Sequence, residues 1–141
     1  MIIHIGDKYD RIVDVMNVCF GRNYKLCMRG WYSLNKAKKT SAWFPKIADL
    51  SEGIPKPGDK WYGWCNIITE AQDIIYMNNY ESPDLLDKST PDDIEPHITF
   101  IKLPGSKEYQ YAGVFVRTRR DKKLGWVYEQ IKKDINTDDY I

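Results

Sequence analysis

The stretch His97–Ile131, HITFIKLPGSKEYQYAGVFVRTRRDKKLGWVYEQI, decides the fold. Its opening, HITFIKL (97–103), alternates as a half-buried strand does, and Pro104-Gly105-Ser106-Lys107 is a turn. YQYAGVFVRT (109–118) alternates again, which predicts Val114 and Val116 on one face and Tyr111 and Phe115 on the other. Charged residues 119–123 turn the chain once more, and LGWVYEQI (124–131) makes a third strand. Three strands joined by short turns form an antiparallel meander. Nothing here alternates strands with long helices, so a doubly wound parallel sheet is disfavoured.

Working outward, WYGWCNIIT (61–69) and DIIYMN (73–78) are strand-prone, and Pro57-Gly58-Asp59 before them is a turn. Ser41–Ile47 reads as a short strand, and residues 36–40 as a loop. Tyr24–Leu34 reads as a strand kinked at Gly30, with Leu26 and Met28 buried. Ile12, Val13, Met16 and Phe20 fall at helical spacing, which predicts a buried helix from Lys8 to about Phe20, with Asp7 as its cap and Gly21 as its stop. Met1–Ile5 is a further strand candidate, and the polar tail after Ile131 is expected to fray. The sum is a single α+β domain over 1–141: a small curved antiparallel sheet or partly open β-barrel with one buried N-terminal helix.

The charge is segregated. Residues 21–48 carry seven cations and no acid, so in a chain of net charge +1 the rest carries −6. Interleaved rings and cations are what nucleic-acid binding needs: rings stack on bases and cations hold phosphates. The candidate ligand-binding residues are Trp31, Tyr32 and Trp43. Candidate backbone contacts are Arg29, Lys36, Lys38 and Lys39, with Arg117, Arg119 and Arg120 from a second basic cluster. The opposite charge gathers in the acidic loop 79–95.

Other chemistry finds little support. There is no phosphate-binding glycine loop and no Gly-x-Ser-x-Gly elbow. Cys27 or Cys65 with His97 is the remaining nucleophile arrangement, and nothing marks it. The acids of loop 79–95 lack the strand-borne lysine partner of a metal-dependent nuclease. The three cysteines suggest core packing in a reducing, cytoplasmic setting. No window is apolar enough to span a membrane, and neither metal nor cofactor is expected.

Ile98, Phe100, Tyr111, Gly113, Val114, Phe115 and Trp126 carry a resemblance over the last quarter of the chain. They resemble the strand-turn-strand unit of PUA-like (EVE- or ASCH-type) accessory domains in bacterial restriction and defence proteins. The PUA-like superfamily also includes the YTH and SRA domains, small barrels that read RNA or modified DNA bases. The resemblance implies a module holding a modified or flipped base in an aromatic pocket, and with no catalytic motif in the chain a non-enzymatic role is expected over an enzyme with an unrecognised site. Composition, not the resemblance, assigns that pocket to Trp31, Tyr32 and Trp43. A rival reading is a small protein-binding factor, of the kind phages or mobile elements turn on host defence, docking by its acidic loop or basic face. The sequence leaves DNA, RNA or protein as the partner, and the oligomeric state, open.

Overall fold

The computed structural model describes residues 1–88 and 95–141. Among them the elements run β1 (Ile2–Ile3), β2 (Lys8–Tyr9), α1 (Ile12–Phe20), β3 (Trp31–Asn35), β4 (Thr40–Trp43), β5 (Trp64–Ile68), β6 (Ile74–Asn79), β7 (His97–Ile101), β8 (Tyr109–Asp121), β9 (Gly125–Lys132) and β10 (Ile135–Asn136). Short 3-10 turns cover Pro83–Leu86 and Thr137–Tyr140. The main sheet runs β3-β4-β7-β8-β9-β6-β5, with β2 added along β8. The meander β7-β8-β9 lies at its centre, as the alternation predicts.

The sheet is not wholly antiparallel. β4 and β7 run parallel, because the chain leaves β4, builds the β5–β6 hairpin and returns before entering β7. Strand pairing leaves β3 and β5 as the two ends, so the ladder is an open sheet. Isolated bridges Lys46↔Lys102 and Ile47↔Asn66 tie the segment after β4 to both halves of it. Curvature is strong: β4 and β9 lie three strand spacings apart, about 14 Å in a flat sheet. Yet the Trp43 and Tyr128 ring centroids are 4.6 Å apart.

Each face of the sheet buries its own core. Helix α1 covers one, packing Val15, Met16, Cys19 and Phe20 on Leu34, Ala42, Phe44, Ile98, Phe100, Tyr111 and Val114. The other buries Ile47, Ile75, Ile101, Ala112, Phe115 and Tyr128. Tyr111 and Phe115 therefore lie on opposite faces, against the expectation from simple alternation. The cause is Gly113, at φ +116°, where the ladder shifts register and the alternation resets. A Cβ there would meet the Lys132 carbonyl at 2.7 Å, so glycine is required.

Three further expectations change. Asp7 does not cap the helix: its Oδ2 accepts from His4 N at 2.8 Å, and α1 starts after Arg11. The stop at Gly21 holds, in a left-handed conformation. Residues 24–30 are not strand, and Leu26 and Met28 stand 72% and 83% exposed. The segment is instead clamped from the helix, where the Asn17 amide bonds Tyr24 N and O, each at 2.8 Å. The tail does not fray. β10 pairs with β1, Thr137 N donates to Met1 O at 2.8 Å, and Tyr140 packs on the helix-side core. Among the described residues no helix is long and apolar enough to cross a membrane.

Candidate nucleic-acid interface

β3 and β4 pair so that Trp31 faces Trp43 at the open end of their hairpin, on one face of the sheet. Tyr32, one residue on, points to the other face. It is buried in the helix-side core, edge-on to Phe44, with its hydroxyl accepting from Arg29 N at 3.1 Å. The three aromatics do not form one cage: Trp31 and Trp43 are brought together, and Tyr32 is a core residue.

Beside the two tryptophans opens a cleft of about 700 Å³. Trp61 adds a third indole, Arg29 and Lys46 add charge, and Met28 and Tyr109 complete its walls. Among the described residues no acid lines it. Asn66 of β5 also belongs to the wall, because the Ile47↔Asn66 bridge pulls β5 against the segment after β4. Its Oδ1 is buried and accepts no hydrogen bond among the described residues. Burial pushes the Tyr109 hydroxyl above its ordinary pKa, which keeps it neutral.

Trp43 links this cleft to the inner face of the curved sheet, where it contacts Tyr128 at 4.6 Å and His97 at 5.9 Å. His97 Nδ1 lies 2.6 Å from Ser41 Oγ, and both residues are buried. Burial raises the Cys65 and Cys19 thiols above their ordinary pKa, the wrong direction for a nucleophile.

The basic residues divide. Arg29 lies at the cleft, its guanidinium 4.9 Å from the Tyr32 ring. Lys36, Lys38 and Lys39 form the exposed tip at the other end of the hairpin, about 13 Å along the strand from Trp31. Lys38 there donates to the Ile141 carbonyl at 3.2 Å. Arg117 is not a surface contact: it is 7% exposed, its guanidinium 4.3 Å from the Trp126 ring. Arg120 pairs with Asp87, and Trp126 Nε1 donates to Leu86 O at 2.9 Å. Arg119 is exposed. The described part of the acidic loop is thus anchored on β8 and β9, while its residues 89–94 lie outside the described residues.

The family model of the SET and RING associated domain matches residues 1–137 of this curved, two-core sheet. The chain belongs to the SRA family. The PUA-like resemblance seen in the last quarter of the sequence therefore holds for nearly the whole SRA chain, and nucleic-acid binding with it. The SRA fold recurs in a solved structure, "The 5-Hydroxymethylcytosine-Specific Restriction Enzyme AbaSI", with a TM-score of 0.66 at 22% identity. The match covers 96% of this chain and 42% of that one, so this chain spans less than half of the restriction enzyme. No curated protein matches the chain.

Of the sequence's candidates, Trp31, Trp43 and Arg29 line the cleft; Trp61, Lys46 and Asn66 line it too and were not among them. Trp61 was legible only as a strand residue, and Lys46 only as one more cation of the window. Asn66 carries no sequence signal: a neutral amide inside WYGWCNIIT looks like any strand residue until its acceptor is found unpaired.

Proposed function

We propose that this SRA chain is a non-enzymatic DNA-reading module that takes a flipped, modified base into the cleft between Trp31, Trp43 and Trp61. The observation that carries the reading is the buried Asn66 Oδ1, without a partner, in the wall of an acid-free cleft lined by three indoles. The desolvation of that acceptor is already spent in the free protein. A small shift of the cleft wall that brings an amino N–H of a base to this acceptor would form a buried hydrogen bond whose desolvation cost on the protein side is already met. Indoles supply stacking for any base, so selection falls to the amide and to the shape of the cleft around a substituent. Cytosine offers such an amino group at N4. AbaSI, the structural neighbour, is titled as specific for 5-hydroxymethylcytosine. In this reading residues 1–141 act as one domain, in the cytoplasm, and any cleavage belongs to a separate effector. The two cores share one sheet, which supports the single unit.

The test uses duplexes with one central cytosine, unmodified, methylated or hydroxymethylated, and 2-aminopurine as its neighbour. Tryptophan quenching reports binding, and 2-aminopurine fluorescence reports unstacking. Tighter binding with an unstacking signal on one modified duplex is expected. Equal affinity for all three duplexes with no 2-aminopurine change sinks the reading.

A further inference from the structure

Next to the base cleft, and sharing Lys46 and Trp61 with it, is a smaller recess of about 160 Å³. Three lysines from separate parts of the chain converge on it. Lys46 follows β4, Lys60 precedes β5, and Lys102 follows β7. Lys46 and Lys102 are bridge partners, fixed by hydrogen bonds from Ile47 N to Lys102 O at 2.9 Å and from Lys102 N to Pro45 O at 3.1 Å. Like charges set opposite one another across a sheet repel and cost stability. Among the described residues no acid lines the recess, and none of the three lysines makes an ion pair. Lys60 and Lys102 rest instead on aromatic rings, 4.9 Å from the Trp61 centroid and 5.4 Å from that of Tyr109. Both rings also line the base cleft. The backbone thus gathers three uncompensated cations at the side of an aromatic site and fixes two of them by main-chain bonds.

We propose that Lys46, Lys60 and Lys102 form a phosphate subsite that holds a DNA phosphodiester next to the nucleotide in the base cleft. The assignment rests on the base-reading function above for its register, since the cleft and the recess share one wall. It adds the anchor of the strand: the indoles and Asn66 hold the base while the lysines hold its own backbone. A phosphodiester fits the recess better than a carboxylate side chain of a protein partner, because the neighbouring cleft is built for a flat ring.

The experiment compares the parent chain, Lys46→Gln/Lys60→Gln/Lys102→Gln and Asn66→Ala on modified and unmodified duplexes over a series of salt concentrations, with thermal melts to check folding. Removing the subsite's single phosphodiester contact should lower the slope of log affinity against log salt by about 1 for both duplexes. The ratio of the two affinities should stay as in the parent. A second arm places uncharged methylphosphonates at the steps flanking the modified cytosine. They should weaken the parent and leave the triple variant unaffected. An unchanged salt slope in a folded triple variant overturns the subsite, and so does a methylphosphonate effect that persists in that variant. Failure of the base reading looks different: Asn66→Ala would keep the parent ratio while the lysine variant still loses slope. Absence of DNA binding by the parent at low salt overturns both.

Discussion

At the residue scale the most informative atom is Asn66 Oδ1, because stability and function pull on it in opposite directions. A buried acceptor without a partner is a cost to the folded state, so truncating it removes that cost. Asn66→Ala is expected to melt within about 1 kcal/mol of the parent, or above it, while losing the preference for a modified base. Thermal melts and duplex titration on the same sample check the pair, and a strongly destabilised variant would show the amide to be structural. The His4–Asp134 contact is a second residue-scale case. Asp134 bonds His4 Nδ1 at 3.0 Å, which holds the imidazole above its ordinary pKa of 6.5, and His4 holds the carboxylate below 3.8. A raised histidine pKa gives stability that is complete below pH 6.5 and is lost as pH climbs through the raised value. The lowered Asp134 pKa gives stability present above pH 3.8 and lost as pH falls through the lowered value. The clasp is therefore strongest between those two limits. Because Asp134 also accepts from Ile5 N, it secures the β1–β10 ribbon. The protection factors of the ribbon amides, which take out the intrinsic base-catalysed rise in exchange, should fall from about pH 5.5 to about pH 8, and His4→Gln should remove that fall. Equal pH dependence in both proteins would disprove the link.

At the element scale, turns and bulges explain what was legible in the sequence. The meander was legible because alternation and turn residues repeat over 35 positions in an unbroken run. Its face assignment was not, because Gly113 resets the alternation and a bulge adds no residue type that periodicity can detect. The segment 24–30 misled for a related reason. Leu26 and Met28 are apolar, and apolar residues near a strand are normally inside, but here Asn17 fixes the chain before it can join the ladder. The ribbon of the two ends was invisible because a pair separated by more than 130 residues leaves no local trace. Gly125 gives the sharpest test at this scale. It sits at φ +90° after the β8–β9 turn, and a Cβ there would lie 2.2 Å from the Met77 carbonyl. That atom is backbone of β6 and cannot move aside cheaply. Gly125→Ala should therefore destabilise the fold by about 2–4 kcal/mol, through left-handed strain and a forced gap between β9 and β6. Denaturant unfolding measures it. The same substitution at Gly105, also at positive φ but with open space around it, should cost less. Equal losses at the two sites would mean that strain alone, not the β6 contact, sets the requirement.

At the scale of the whole molecule, curvature decides which parts of the acid-free window can act together. The sheet sends the members of the window to different places. Trp31, Trp43, Arg29 and Lys46 meet at the open end of the β3–β4 hairpin, Tyr32 enters the core, and Lys36, Lys38 and Lys39 leave by the tip. Composition can locate charge along the chain, but only strand register decides whether it shares an end. In the proposed reading, the phosphates nearest a base in the cleft would lie at the opposite end of the hairpin from those the tip can reach. Neutralising the tip, Lys36→Gln/Lys38→Gln/Lys39→Gln, should therefore act on DNA affinity in general and not on base choice. Fewer than three phosphate contacts are available to it, because Lys38 already spends its ammonium on the C-terminal carbonyls. The salt slope should fall by about 1 to 2, by the same amount on modified and unmodified duplexes, with the affinity ratio unchanged. Titration of both duplexes at two salt concentrations measures this. A drop in the ratio would mean that the tip touches the flipped nucleotide, and that the reading end of this SRA domain is the one where the hairpin closes.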